Sequence, residues 1–145
     1  MALSGGFSAD FPRFTREQLF AIATDVERYP AFIPWCKSAR VLMDDGGLRE
    51  VDNHYGAGPA DLAFRSRAVA TPPDRLEITS TDGPFRRFSL TWTFTDLEQG
   101  CRVRADYVVD FRSGLLQGLA RLTIREVERR VLKRFRDRAA ELYGR

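Results

Sequence analysis

The hydrophobic pattern of the chain changes its period once, near Gly114, and this change restricts the folds open to it. Before Gly114, apolar residues alternate with polar ones, as in strands that have one dry face. After it, apolar residues recur every three or four positions, as in an amphipathic helix. We therefore predict one long helix from Gly114 to Tyr143. Its apolar stripe consists of Leu116, Ala120, Ile124, Val127, Val131, Phe135 and Leu142.

The N-terminal third of the chain predicts one strand and short helical segments. Apolar residues alternate with polar ones over residues 7–11, which indicates a first strand. Thr15 is the expected N-cap of a helix, because acidic and amide residues follow it in the first turn and an apolar stripe comes next. Pro30 and Pro34 restrict the segment after this helix to a short helical turn.

Residues 35–111 predict an antiparallel meander. Five turn signals separate apolar runs, at residues 44–47, 56–59, 72–74, 82–84 and 98–100. The dry faces of the last two runs are Phe88, Leu90, Trp92 and Phe94, and then Cys101, Val103, Ala105, Tyr107, Val109 and Phe111. Only the long helix is large enough to cover such a face, so the sheet must curve around it. A curved sheet leaves a gap beside a straight helix, and such a gap suits a small apolar ligand.

Composition indicates a single globular domain in a reducing compartment. With 145 residues and 43% hydrophobic content, residues 1–145 are expected to form a single domain that needs neither metals nor disulfides. Cys36 and Cys101 stand alone, which favours a reducing compartment. We find no signal-peptide pattern and no apolar run long enough to span a membrane. We expect a cytoplasmic protein, with peripheral contact to the inner membrane left open.

Positive charge is concentrated in the predicted long helix. From Ser113 onward the chain has nine basic and four acidic residues, and Arg121, Arg125 and Arg129 share one helix face. This asymmetry suggests an anionic partner, either RNA or a lipid headgroup. The alternative interpretation is that these arginines form an ordinary solvated face.

Candidate catalytic groups are scarce. His54 is the only histidine, so a Ser-His-Asp, Cys-His or multi-histidine metal arrangement would depend on this one residue. Its position near a loop favours an exposed structural role. Neither cysteine has a neighbouring base in sequence, and no glycine-rich phosphate loop precedes a Lys-Ser or Lys-Thr pair. We predict no catalytic residue and no metal site.

Residues 25–36 read D-V-E-R-Y-P-A-F-I-P-W-C, and this string resembles the N-terminal signature of the coenzyme Q-binding protein family. Three further segments fit the same family in the same order: residues 83–88, 92–94 and 109–116. The family belongs to the START-like, helix-grip superfamily. Its bacterial branch is also labelled polyketide cyclase-like or RatA ribosome-association toxin.

The resemblance implies an α+β helix-grip fold. In it, a curved antiparallel sheet of six to seven strands wraps around the C-terminal helix, with two short helices after the first strand. It also implies non-enzymatic binding of ubiquinone or a related isoprenoid or lipid as a bound ligand, without a cofactor, in support of respiration. Two alternatives stay open: a toxin that binds the large ribosomal subunit, and a polyketide cyclase, for which Tyr107 is the one acid-base candidate. We expect no DNA partner.

The implied fold also selects candidate ligand contacts. Phe32 and Trp35 follow the short helical turn and are expected at the mouth of the cavity. Trp92, Phe94 and Tyr107 occupy dry-face positions of adjacent strands and are expected to line it. Further candidates are Leu62 and Phe64 on an earlier strand, and Val127 and Val131 on the helix. For each aromatic residue, packing in the core is the competing interpretation.

Overall fold

A computed structural model describes residues 2–57 and 60–144. The strands are β1 (Leu3–Phe11), β2 (Cys36–Asp45), β3 (Leu48–Ala57), β4 (Ala60–Thr71), β5 (Arg75–Ser80), β6 (Phe85–Asp96) and β7 (Cys101–Phe111). The helices are α1 (Arg16–Thr24), α2 (Tyr29–Phe32) and α3 (Gly114–Tyr143), and a 3₁₀ turn at Val26–Arg28 precedes α2. The predicted α+β class is confirmed, including the two short helices after the first strand and the bounds of the long one.

The seven strands form one antiparallel sheet in the order β1-β7-β6-β5-β4-β3-β2. Strands β2 to β7 make the predicted meander, and β1 adds to its far side by pairing with β7. Register shifts interrupt β2 between Cys36 and Ser38 and between Val41 and Met43, and they interrupt β6 between Phe85 and Arg87. Such irregularities bend a strand and increase its twist. The turn predicted at residues 56–59 lies partly outside the described residues.

Local hydrogen bonds fix where the helices begin. The Thr15 hydroxyl accepts from the Gln18 backbone N–H at 3.1 Å, and the Gln18 side chain accepts from the Thr15 N–H at 2.9 Å. This reciprocal capping box confirms Thr15 as the N-cap of α1. The Ser113 hydroxyl caps α3 by accepting from Leu116 N–H at 3.2 Å. At the other end, Gly144 has a positive φ of 72°, a conformation that glycine adopts at little cost.

The C-terminal half of α3 packs tightly on the sheet. Phe135 is 1% exposed, and its ring lies 5.8 Å from that of Phe11, 6.3 Å from that of Phe32 and 5.2 Å from that of Trp92. Ala139, one turn further along α3, is fully buried. These residues close one end of the space between the helix and the sheet.

The predicted helical stripe ends earlier than expected. Leu142 is 46% exposed, so it does not belong to the buried face. Phe135 already packs on Phe11, the last residue of β1, and a helix rises about 1.5 Å per residue. Leu142 therefore lies past the edge of the sheet, and Ala139 is the last buried residue of the stripe.

A buried glutamine attaches the start of α3 to β7. Gln117 is 7% exposed; its Oε1 accepts from the Phe111 N–H at 2.7 Å and its Nε2 donates to the Val109 carbonyl at 3.1 Å. One amide thus satisfies two backbone groups at the end of the strand. This pair of bonds fixes the angle at which α3 leaves the sheet.

We expect Gln117→Leu to lower the free energy of unfolding by about 2–4 kcal/mol, because it leaves two backbone groups without partners. Urea denaturation measures the loss. Gln99→Leu is the matched control, because it makes the same change at an exposed glutamine, so its loss should be smaller. A Gln117→Leu stability within about 0.5 kcal/mol of wild type would contradict this role.

Candidate functional site

The inner face of the sheet is dry at one end and partly open at the other. Toward Phe135, Trp92 and Phe94 are each 2% exposed and Ala105 is 1% exposed. Further along the same strands, inner-face side chains remain only half-buried, although strand alternation points them at the helix side. These half-buried residues are Phe88, Leu90, Val109 and Phe111, with Tyr55 on β3. The helix therefore does not close over this part of the sheet.

The N-terminal half of α3 has the same partial exposure on its inward face. Ile124, Val127 and Val131 are half-buried, although they belong to the apolar stripe. The backbone of α3 comes near β1, β7, α1 and α2. The half-buried side chains of this half of α3 and of the facing strands therefore leave apolar surface open to water, which we interpret as a gap between helix and sheet. We call it the cleft, and its lining side chains are Tyr55, Phe64, Leu90, Tyr107, Val127 and Val131.

An aromatic cluster forms the far wall of the cleft. Phe64 is 9% exposed and stacks on Tyr55 with ring centroids 5.9 Å apart. Its ring also meets the edge of Phe85 at 4.8 Å, and Phe85 stacks on Phe111 at 4.9 Å. Phe88 completes the cluster, 4.9 Å from Phe85. Flat rings in these offset and edge-on arrangements make a large apolar surface.

Alternation in sequence could not identify Phe85 as part of this wall. Phe85 and Phe88 are three residues apart, so a regular strand would point them to opposite faces. The register shift between Phe85 and Arg87 adds one residue to β6 and brings both rings to the inner face. The two phenylalanines at the start of β6 were the only sequence signal, and a sequence does not show where a bulge occurs.

Polar side chains also lie on the inner face. Asn53 Nδ2 donates to Ser66 Oγ at 2.9 Å and to the Phe64 carbonyl at 3.2 Å. Ser80 Oγ donates to the Arg65 carbonyl at 2.6 Å. Ser66 and Ser80 are 3% and 7% exposed. Polar residues at dry-face positions of strands are the sequence signal that indicates such groups.

Tyr107 connects β7 to α3 along one side of the cleft. Its hydroxyl donates to the Glu128 carboxylate. Removal from water, together with the hydrogen bond to Glu128, raises the pKa of Tyr107 to about 12. Gly5 on β1 lies opposite, and a Cβ there would come within 2.6 Å of the Tyr107 hydroxyl. Near neutral pH Tyr107 is therefore a hydrogen-bond donor and not a general base.

Gln117 and Glu128 were also missed at the sequence level. Both fall on the inward face of α3, seven and four residues from Ile124. A polar residue in the buried phase of an amphipathic helix is the signal that could have identified them. The strand partners of Gln117 and the partner of Glu128, Tyr107, could not be read from spacing, because they depend on how the helix crosses the sheet.

Trp35 lies at the rim of the cleft. It is 38% exposed and has a positive φ of 65°, a conformation that non-glycine residues rarely adopt. Its carbonyl accepts from the Gly56 N–H at 2.9 Å, one residue beyond Tyr55. The Arg130 guanidinium of α3 lies 5.5 Å from its ring centroid, a cation–π distance. Trp35 thus bridges the α2–β2 corner to the helix.

Three of the predicted ligand contacts lie in the packed core. Phe32 was predicted at the mouth, but it is 3% exposed, with its ring 5.4 Å from that of Tyr29 and 6.3 Å from that of Phe135. Trp92 and Phe94 are 2% exposed. These three aromatic residues therefore pack in the core, which was the competing interpretation. By contrast Phe64, Tyr107, Val127 and Val131 line the cleft, Leu62 pairs with Tyr55, and ligand contact at all these residues stays a prediction.

His54 points away from the cleft. It lies between Asn53 and Tyr55 on β3, so its side chain is on the outer face of the sheet. Its Nε2 lies 2.5 Å from the Asp61 carboxylate, and the Lys37 ammonium is 4.0 Å from the same oxygen. His54 therefore belongs to a cluster of polar side chains on the surface. In residues 2–57 and 60–144, no three His, Cys, Asp or Glu side chains are placed to hold a metal.

The arginine face of α3 is exposed but partly neutralised. Arg121, Arg125 and Arg129 all lie in solvent. Arg129 pairs with Glu126 at 2.5 Å, and Arg130 pairs with the same carboxylate at 2.8 Å. Exposed pairs of this kind contribute little stability. Among residues 2–57 and 60–144, none of the helices has the length and hydrophobicity of a membrane span.

Comparison with known proteins places this geometry in a family. Residues 13–136 match the family described as "Polyketide cyclase / dehydrase and lipid transport". The ribosome association toxin RatA of Pseudomonas aeruginosa is 29% identical over 127 residues, which cover 87% of this chain and 88% of the relative. The coenzyme Q-binding protein COQ10 homolog B of Xenopus laevis is 27% identical, over 91% of this chain and 56% of that protein.

Solved structures share the fold across nearly the whole chain. The Zhui aromatase/cyclase of Streptomyces sp. R1128 superposes with a TM-score of 0.84 at 12% identity, covering 96% of this chain and 94% of that one. An 18 kDa protein from Caulobacter crescentus gives a TM-score of 0.75 at 25% identity, covering 99% of both chains. At 12% identity the likeness to the cyclase concerns the fold alone.

Proposed function

Because this chain belongs to the polyketide cyclase / dehydrase and lipid transport family and holds a partly open apolar cleft, we propose that it binds a hydrophobic small molecule without chemical turnover. Ubiquinone or a related isoprenoid lipid is the proposed ligand. The observation that carries the proposal is the change in burial along the inner face, from 2% exposure at Trp92 to half-burial at Leu90 and Phe88. Apolar side chains left open to water in a concave site favour an apolar guest.

The chemistry of the lining suits a ligand with a long apolar tail and a small polar head. Each CH₂ group moved from water into an apolar site contributes about 0.8 kcal/mol, so several isoprenoid carbons would offset the cost of binding. The rings of Phe64 and Phe88 and the side chain of Val131 offer that surface. A carbonyl oxygen of the ligand is an acceptor, so it would compete with Glu128 for the Tyr107 hydroxyl proton or with the Phe64 carbonyl and Ser66 Oγ for the Asn53 amide.

Tryptophan fluorescence tests the proposal directly, because the chain has only two tryptophans and quinones quench indole emission. Decylubiquinone, a short-tailed analogue, should quench the emission in a saturable manner as it enters the cleft. Trp35→Phe should leave a smaller signal with a similar midpoint, because Trp92 alone then reports from the core beside the cleft. A quenching curve that stays linear in quinone concentration, as for collision in free solution, would count against binding.

A second function, contact with the large ribosomal subunit, is supported by the exposed arginines of α3 and by the relatives named as ribosome association toxins. Arginines can contact rRNA phosphates, and such binding weakens steeply as salt rises. The pairing of Arg129 and Arg130 with Glu126 reduces the net positive charge that α3 presents to RNA. Co-sedimentation with 50S subunits in a sucrose gradient at low salt tests this function. Protein that stays at the top of the gradient would exclude it.

A cyclase function has less support from the cleft. Cyclisation needs a group that removes or delivers a proton at the reacting carbon. Tyr107 is the acid-base candidate that the sequence offered; the raised pKa of its hydroxyl keeps it protonated near neutral pH, so it cannot remove a proton, and the proton it could deliver is donated to Glu128. Turnover of a polyketide substrate that is lost in Tyr107→Phe would reverse this ranking.

A further inference from the structure

Three leucines of α3 remain in solvent on the side of the helix that faces away from the sheet. Leu115 and Leu122 are 84% and 85% exposed, and Leu119 between them is 50% exposed. They are four and three residues apart, so their side chains share one side of the helix. Gln117, which points into the protein, lies on the opposite side. We call Leu115, Leu119 and Leu122 the leucine patch.

Only positive charge surrounds this patch in the sequence. Between Asp110 and Glu126 the chain contains Arg112, Arg121 and Arg125 and no acidic residue. All three arginines are exposed. Arg125, three residues after Leu122, borders the patch and Arg112 precedes it, whereas Arg121 shares the Gln117 side of the helix. Apolar side chains beside cations are the combination found on helices that lie in the interface of an anionic membrane.

The leucine patch also continues into the cleft. Leu116, Ala120 and Ile124 are half-buried and occupy the same turns of α3. Apolar side chains thus run from the outer leucines around the first three turns of the helix to the lining of the cleft. A partner that covered the patch would lie next to the open side of the cleft.

The positive charge around the leucine patch favours one kind of binding partner over the others. A second copy of the chain would bring two sets of like-charged arginines together across the interface, which is unfavourable. RNA would satisfy the arginines but would leave the leucines exposed. We propose that the leucine patch docks on an anionic lipid bilayer, with the leucines among the acyl chains and the arginines at the phosphates. Docking goes beyond ligand binding, because it does not require an occupied cleft.

Vesicle sedimentation with the full chain tests the docking. The wild type should bind vesicles of phosphatidylcholine and phosphatidylglycerol and bind phosphatidylcholine vesicles far less. Leu115→Gln combined with Leu122→Gln should lower the partition coefficient for the anionic vesicles by about 10-fold or more, because two leucines lose their transfer into the acyl chains. Glutamine and leucine have similar helix propensities, and both positions are exposed, so the fold should be unaffected.

Leu142→Gln is the matched control, since it makes the same change at an exposed leucine of the same helix outside the patch. It should bind vesicles like the wild type. Failure of the wild type to bind anionic vesicles, or equal binding by the double variant, would overturn the proposal. So would a dimer in analytical ultracentrifugation that the double variant abolishes while vesicle binding stays unchanged, because that result assigns the patch to a second copy.

The docking proposal and the ligand proposal can fail separately. Quenching by decylubiquinone in vesicle-free buffer measures the cleft, and the leucine patch does not line it. The double variant should therefore lose vesicle binding and keep the quenching midpoint of the wild type. Loss of quenching in the wild type with vesicle binding intact would reject the ligand and retain the docking surface.

Discussion

Replacing Phe135 by alanine is expected to lower the free energy of unfolding by about 3–5 kcal/mol. The ring is 1% exposed and lies within 6.3 Å of the rings of Phe11, Phe32 and Trp92, so its removal leaves a cavity that these rings cannot fill without moving. For a chain of this length the loss corresponds to a fall in Tm of roughly 10 °C or more. Urea denaturation and differential scanning calorimetry measure both quantities.

Phe88→Ala provides the contrast that links this result to the cleft. Phe88 is the same residue type, but it is half-buried where the helix does not cover the sheet, so less packing is lost. Its cost in unfolding free energy should be less than half that of Phe135→Ala. Equal costs for the two variants would mean that both ends of the inner face are equally well packed, and the cleft would not exist as described.

The second large effect concerns ligand affinity. Leu90→Asn should weaken binding of decylubiquinone by about 10–100-fold, because an amide of similar shape must be desolvated against an apolar ligand, at about 1–3 kcal/mol. Leu90 is half-buried on the inner face of β6 and pairs with Tyr107 and Ile78. The quenching titration measures the midpoint in both proteins.

Ser89→Asn is the matched control for that variant. Ser89 is the preceding residue of the same strand, so its side chain lies on the outer face, beside Thr79 and Val108. The control should keep the midpoint of the wild type. If both variants shift it equally, the effect comes from β6 as a strand and not from the inner face, and the ligand would have to bind elsewhere.

The arrangement of the strands and the long helix could be predicted because their signals are local. Alternation over residues 101–111 and the helical period after Gly114 depend only on neighbours in sequence, and Thr15 carries its own capping partner three residues later. The prediction was wrong at Leu142, because the helix extends past the sheet edge and spacing cannot reveal where the sheet ends. The single-domain organisation of residues 1–145 stays a prediction.

The division of the inner face into core and cleft was not predictable from the sequence. Trp92 and Leu90 occupy the same face of β6 and are both apolar. Only the path of α3 determines that Trp92 is buried and Leu90 is half-buried. For the same reason Phe32 was expected at the mouth and lies in the core. The sequence did not predict Phe85 on the inner face, because a bulge changes the face to which its side chain points. Gln117 and Glu128, by contrast, could have been identified as polar residues on an apolar helix stripe.

The most direct test of the central claim is the content of the cleft in protein purified without detergent from its native host. Organic extraction followed by mass spectrometry should recover ubiquinone or a related isoprenoid lipid at about one molecule per chain, as expected for one ligand site. Leu90→Asn purified in parallel should carry much less of it, and Ser89→Asn the wild-type amount. Recovery of no isoprenoid or other lipid at any stoichiometry from the wild type would contradict the account.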